Sequence, residues 1–310
     1  MRIVKLRLVL GAIAAVLAAS ACAPAAAPPT SAAAAPASGS GRGSLLIVGG
    51  GPIPDGLIAR FVELAGGRGR ARILAMPMAS ESADAGEEIV GDFRHLGAEA
   101  ERFVLTRSEA DTEAAARRIA GSTGVWFGGG DQARLMAVLS GTRAEAALRE
   151  LYLRGGGVLG GTSAGAAVMS TPMITGDERR PGGDRPPAKD SSDAFMTIAR
   201  EDVVTAAGID VVPGAIIDQH FVRRRRHNRL LSLVLENPRL VGIGIDESTA
   251  LEVPPEGPFR VLGASVAVVY DARAARITPA GKTLGAADVK LSVLPAGSAY
   301  DLATGIAALP

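Results

Sequence analysis

The chain has 310 residues, 47% of them hydrophobic, with 39 glycines and only 4% aromatics, enough apolar material for one large core or two modest ones. Thirty-three Lys and Arg against 32 Asp and Glu leave a net charge of +1, which excludes a strong overall field for nucleic acid or an anionic membrane. The single cysteine, Cys22, excludes an internal disulfide, and three histidines (His95, His220 and His227) supply no clustered ligand set for a structural zinc. No metal and no cofactor are expected.

The chain begins with a basic segment, Arg2, Lys5 and Arg7, followed by an apolar stretch over 8–19. That stretch is shorter than the roughly 20 residues a membrane-spanning helix needs. Residues 1–22 read as an export signal. Its end, Ala19-Ser20-Ala21-Cys22, resembles the bacterial lipobox, which implies cleavage before Cys22 and lipidation of its thiol. The alternative is ordinary cleavage at the same small residues. A lipid there would be the chain's membrane attachment. Residues 23–43 are Ala, Pro, Ser and Gly with a single charge; they read as a flexible tether, so the folded domain is expected over 44–310.

From residue 44 the pattern becomes strand, turn, helix. Strands are predicted at 44–48, 72–75, 103–105, 124–127 and 157–160, and helices at 54–65, 82–96, 108–120, 132–139 and 142–154. The strands are continuously apolar rather than alternating, as in a parallel, doubly wound sheet buried on both faces. Ligands bind such sheets at the carboxyl ends of the strands, where this chain places glycines. Residues 176–193 are polar and Pro/Gly-rich, and read as an exposed loop. Beyond 248 the pattern is β-rich, with strands at 261–270 and 289–294 that extend or flank the sheet.

One strand exit carries Gly161-Thr162-Ser163-Ala164-Gly165, a G-x-S-x-G sequence between a buried strand and an apolar helical stretch. A serine on so sharp a turn needs neighbours without bulk two residues either side, and Gly161 and Gly165 meet that need. The turn exposes the Ser163 hydroxyl as a nucleophile and lets the Ala164 amide face a developing oxyanion at a helix start. A second glycine turn, Gly128-Gly129-Gly130-Asp131-Gln132, ends the preceding strand. A parallel neighbour would bring it beside Ser163, with the Gly130 amide completing an oxyanion hole. Neither a Walker lysine nor a full dinucleotide fingerprint accompanies the glycines.

A serine nucleophile needs a base. His95 lies on a charged helix and His227 within an arginine run. His220 follows the apolar strand 215–217 and is preferred. For the orienting acid, Asp218 sits two residues from His220. Glu247, past the apolar strand 241–245, is favoured by its strand-end position, with Asp246 as competitor. The order Ser, His, acid differs from that of α/β-hydrolases, where the acid precedes the histidine. Arg223, Arg224, Arg225, Arg226 and Arg229 crowd behind His220. Guanidinium forks suit carboxylates, which points to an anionic substrate.

Taken together, Gly129-Gly130-Asp131-Gln132, the run from Gly160 to Ala166, Asp218-Gln219-His220-Phe221 with the arginines behind it, and Gly244-Ile245-Asp246-Glu247 resemble the cyanophycinases, of the peptidase E-like serine peptidases. The similarity spans roughly residues 44–252. It implies a class I glutamine-amidotransferase-like, flavodoxin-like α/β sandwich and a triad of Ser163, His220 and Glu247. It also implies a substrate pocket lined by Gln132, Asp218, Gln219, Arg224, Arg226 and Arg229. The implied substrate is cyanophycin, a poly-aspartate with arginine on each β-carboxyl, and the implied product is β-aspartyl-arginine. The export signal departs from the family's cytoplasmic members and suggests scavenging of polymer from other cells. An exported aspartyl dipeptidase on the same scaffold and a non-catalytic anchored binding protein are the alternatives. The expected partner is a carboxylate-bearing peptide or polymer, not nucleic acid; a homodimer is compatible with the chain.

Overall fold

The computed structural model describes residues 41–179 and 195–310. The expected leader, Cys22 and the tether up to residue 40 lie outside the described residues. Residues 41–43 already pack on the domain: the Gly43 N–H donates to the Tyr152 carbonyl at 2.6 Å, and the Arg42 guanidinium lies 5.0 Å from the Tyr152 ring centroid.

The first half alternates as the pattern predicts: β1 (Leu45–Val48), α1 (Asp55–Leu64), β2 (Arg72–Met76), α2 (Glu87–His95), β3 (Glu99–Arg102), α3 (Arg107–Ala110), α4 (Glu113–Ala120), β4 (Gly124–Phe127), α5 (Gln132–Leu139), α6 (Arg143–Leu153), β5 (Val158–Thr162) and the short α7 (Ala164–Ala167). These strands form a parallel sheet in the order β1-β5-β4-β2-β3. Both faces are covered, which is why β1 and β4 are buried at every residue. On one face Leu46, Val48, Ile73 and Trp126 meet α1 and α2 through Phe61 and Phe93, the three aromatic rings packing at centroid distances of 5.0 to 5.8 Å. On the other, Leu45, Ile47, Val125 and Phe127 share a core with Leu135 of α5 and Leu148 of α6.

The second half comprises β6 (Met173–Glu178), β7 (Val203–Ala206), β8 (Ala215–Asp218), α8 (His227–Glu236), β9 (Val241–Ile245), β10 (Thr249–Val253), β11 (Phe259–Gly263), β12 (Val266–Asp271), β13 (Arg276–Ile277), β14 (Ala286–Ala287), β15 (Lys290–Pro295), β16 (Ala299–Asp301) and β17 (Ile306–Ala308). The β-rich ending does both things expected of it. Strands β10, β11, β16 and β17 extend the parallel sheet antiparallel from β1, giving nine strands. Strands β12 and β15 flank it, joining β9 and β8 in a separate four-stranded sheet. Ile217, Ile243, Ile245 and Val269 of this second sheet enter the core shared with the first. Its outer face holds Ile216 and Val268 against Leu230, Leu233 and Val234 of α8.

Several elements depart from the expectations. The helix expected over 82–96 begins only at Glu87. The strand expected at 103–105 lies at Glu99–Arg102, a polar edge strand. The helix expected over 108–120 is two, α3 and α4. The strand expected over 261–270 is broken between β11 and β12. Residues 176–178 belong to β6, paired with β7, rather than to a loop; the remainder of the predicted loop, from 180, lies outside the described residues.

Candidate active site

Strand β5 lies between β1 and β4, in register so that Thr162 is beside Val48 and Gly161 beside Phe127. Ser163 therefore leaves the sheet at its carboxyl edge, flanked by the glycine turns that end both neighbours. Its backbone is in the left-handed region (φ 55°, ψ −110°), the conformation of a serine forced onto a strand-to-helix elbow. The predicted need for glycine on either side is visible as distances. A Cβ on Gly165 would fall 2.2 Å from the Phe127 carbonyl oxygen, and one on Gly161 would fall 2.7 Å from that of Gly165.

The glycine turn after β4 lies beside the nucleophile. The position a Cβ of Gly129 would take is 3.5 Å from Ser163 Cβ, whereas that of Gly130 falls on the Ala79 carbonyl at 2.2 Å. Among the described residues the amides of Gly129 and Gly130 have no acceptor, although their neighbours Gly128 and Asp131 donate to Met76 and Ala79. The Ala164 amide opens α7 and has no carbonyl one turn back to accept it. Besides Gly130, expected from the sequence to complete an oxyanion hole, Gly129 lies against Ser163. The Asp131 side chain caps α5 by accepting the amides of Ala133 and Arg134, which fixes the turn from its far end.

His220 and Glu247 come from the other sheet. His220 follows β8, and Glu247 lies in the link from β9 to β10. Ser163 Oγ is 2.8 Å from His220 Nε2, and His220 Nδ1 is 2.7 Å from Glu247 Oε1. The imidazole is buried, and that burial is the main cause holding its pKa below the ordinary histidine range. The hydrogen bond to Glu247 pulls it upward, and the charges of Arg224 and Arg226 push it further down. The ring is thus neutral near pH 7 and can accept a proton.

The other candidate acids have different tasks. Asp246 Oδ1 accepts the amides of Val222 and Arg223 at 3.1 and 2.9 Å, and its Oδ2 accepts the Ser265 hydroxyl at 2.8 Å. It anchors the arginine turn and does not meet His220. Asp218 is fully buried and receives both Nε (2.8 Å) and Nη2 of Arg229, itself 3% exposed. The resemblance puts both in the substrate pocket; the structure turns both inward, as a buried ion pair at the root of His220. Gln219 is buried too. Its carbonyl accepts Arg226 Nη1 at 2.8 Å, its side-chain oxygen accepts the same group, and its own amide donates to Asp218 Oδ1. Gln132 is also drawn inward, donating Nε2 to the carbonyls of Ile174 and Thr175 at 2.8 and 2.6 Å and so tying β6 to the start of α5. Arg224 is exposed. His227 hydrogen-bonds the Tyr270 hydroxyl at 2.9 Å and packs on Phe221, and His95 is exposed at the end of α2.

Two further residues, Gly50 and Gly51, were not singled out in the sequence. A Cβ on Gly50 would lie 2.3 Å from His220 Cε1, and one on Gly51 would lie 2.8 Å from Glu247 Cβ. The only available signal was the three-glycine run at the exit of a buried strand.

Residues 45–258 match the family model of peptidase family S51. The chain is 32% identical over 256 residues to a cyanophycinase of Synechococcus elongatus, covering 80% of this chain and 74% of that protein. It is 32% identical over 274 residues to a cyanophycinase of Geminocystis herdmanii (strain PCC 6308), covering 85% and 95%. In fold it resembles the crystal structure of a peptidase from an acI-B1 Actinobacterium, with a TM-score of 0.61 and 22% identity over 85% of this chain and 98% of that one. The architecture is the flavodoxin-like α/β sandwich that the motifs imply. Among the described residues no helix is long and apolar enough to cross a membrane.

Proposed function

Because the chain belongs to peptidase family S51 and is a serine-type peptidase, we propose that it is an exported exopeptidase that hydrolyses cyanophycin to β-aspartyl-arginine through Ser163, His220 and Glu247. The observation that carries this reading is the continuous hydrogen-bonded chain from Ser163 Oγ through both imidazole nitrogens to Glu247 Oε1. Ser163 attacks the scissile carbonyl while Nε2 of the neutral His220 takes its proton. Glu247 holds the tautomer and stabilises the imidazolium that forms. The Ala164 amide and those of the Gly129-Gly130 turn receive the oxyanion, a contribution on the order of 10²–10³ in kcat per donor. His220 then protonates the leaving amine, and water hydrolyses the acyl-enzyme by the same route in reverse.

Two features support the substrate. Arg224 and Arg226 set positive charge beside His220, suited to the carboxylates at the end of a poly-aspartate backbone, and the cyanophycinase relatives span most of the chain. The basic start and apolar run ahead of Cys22 support export, with the lipidated cysteine as the anchor. The test is incubation of the purified protein with cyanophycin and, separately, with short aspartyl peptides, followed by mass spectrometry. Release of β-aspartyl-arginine from the polymer is expected. Cleavage of the short peptides alone would replace the polymer by a dipeptide substrate.

A further inference from the structure

Ser163 and His220 belong to different sheets, and no strand ladder joins β5 to β8. Their register at 2.8 Å must be set by something other than sheet pairing. The exit of β1 supplies it. Three successive backbone carbonyls there each accept an amide from a different part of the site. Val48 O takes the Ser163 N–H at 3.1 Å, Gly49 O takes that of His220 at 2.6 Å, and Gly50 O takes that of Ser248, the residue after Glu247, at 2.9 Å.

The donors share a second property. Ser163, His220 and Ser248 are all non-glycine residues at positive φ, 55°, 49° and 55°. Such a conformation persists only where its surroundings over-determine it, and here each strained residue hands its amide to the same strip of chain. Side chains close on that strip as well. The imidazole lies against the bare backbone of Gly50, where a Cβ would come within 2.3 Å of Cε1 and 2.4 Å of Nε2. At Gly51 a Cβ would come within 2.9 Å of Glu247 Oε2.

We infer that residues 48–51 are a positioning template, which sets nucleophile, base and acid in mutual register by three consecutive carbonyls and by the absence of side chains at Gly50 and Gly51. The template supplies no reacting group of its own. It acts through the residues it holds, and so rests on the reading of Ser163, His220 and Glu247 as the triad. A displacement of about 1 Å in such an arrangement can cost roughly 10²-fold in rate.

The rate at which a fluorophosphonate labels Ser163, followed by intact mass, tests this without reference to the natural substrate. Gly50→Ala should label about 10²-fold more slowly than the parent. Gly51→Ala should label about 10-fold more slowly. Its φ of +69° is one that non-glycine residues adopt at moderate cost, so this variant decides the matter if Gly50→Ala folds poorly. Gly67→Ala is the control for backbone strain alone, because its φ is +81° and the nearest atom to an added Cβ is 4.0 Å away; it should label within about twofold of the parent. Melting temperatures separate rate from folding, since a merely structural role would lower the melting point of all three variants and leave labelling unchanged. Parent-like labelling of both Gly50→Ala and Gly51→Ala would overturn the template. Failure of the parent to label at Ser163 would instead overturn the triad beneath it.

Discussion

The two sides of the site are built from opposite materials. On the nucleophile side, Ser163 stands among Gly128, Gly129, Gly130, Gly161 and Gly165, and what reaches the reacting centre is backbone: unengaged amides and close carbonyls. On the base side, His220 bonds Glu247 and lies in the field of Arg224 and Arg226, above the buried Asp218–Arg229 pair, and what tunes it is charge together with burial. The first side is governed by sterics, which change little with pH or salt. The second is governed by electrostatics, which do. The enzyme keeps the nucleophile's elbow in one sheet and puts the tunable group on the other.

The largest effect belongs to the steric side. Ser163→Ala should lower kcat on the order of 10⁴-fold or more while leaving the melting temperature near that of the parent, because the change removes one hydroxyl and its hydrogen bond to His220. Retention of even a tenth of the parent turnover would remove Ser163 from the chemistry. Next comes the charged side's foundation. Arg229→Met strands the Asp218 carboxylate, fully buried, with the Gln219 backbone amide at 2.8 Å and Arg226 Nη1 at 3.8 Å as its remaining partners. Breaking a buried pair from one end costs about 3–5 kcal/mol, to be read from urea denaturation. If Arg229 were a substrate ligand only, the loss would appear in KM and stability would be unchanged. The double replacement Asp218→Asn with Arg229→Met should recover part of the stability, since no orphan charge remains.

The two sides were also unequally legible in the sequence. Strands β4 and β9 lie at the residues predicted for them because each is an unbroken apolar run bounded by glycine or charge. Gly161 and Gly165 could be assigned from sterics alone. By contrast β3, Glu-Ala-Glu-Arg, is a sheet edge, and a strand with one free flank need not be apolar; the eye goes instead to the apolar residues 103–105 just beyond it. Helix α8 went unread because its first turn carries His227 and Arg229 and merges with the basic run, yet Arg229 is drawn inward by Asp218. A charge run read as a ligand surface was partly an interior. Nothing local to Gly49, Gly50 and Gly51 announces that two side chains from another sheet will lie on them.

The smallest predicted effect sharpens the comparison most. Arg224 is exposed, and its charge lowers the His220 pKa, as does that of Arg226, while Glu247 raises it. Removing Arg224 makes the imidazolium less unfavourable, so Arg224→Ala should move the His220 titration upward. The acidic limb of kcat/KM reports neutral His220 in the free enzyme and should therefore shift to higher pH, with activity lost first on the acid side. Glu247→Gln removes the opposing influence and should move the limb the other way. Salt screens an exposed charge, so raising ionic strength from about 0.01 to 0.5 M should shrink the difference between Arg224→Ala and the parent. Changes on the nucleophile side, such as Gly165→Ala, should lower the plateau of the profile and leave the limb where it was, because no charge has moved. A limb that stays fixed in Arg224→Ala while KM rises for carboxylate-bearing substrates would assign the arginine to binding alone and leave burial and Glu247 to set the base.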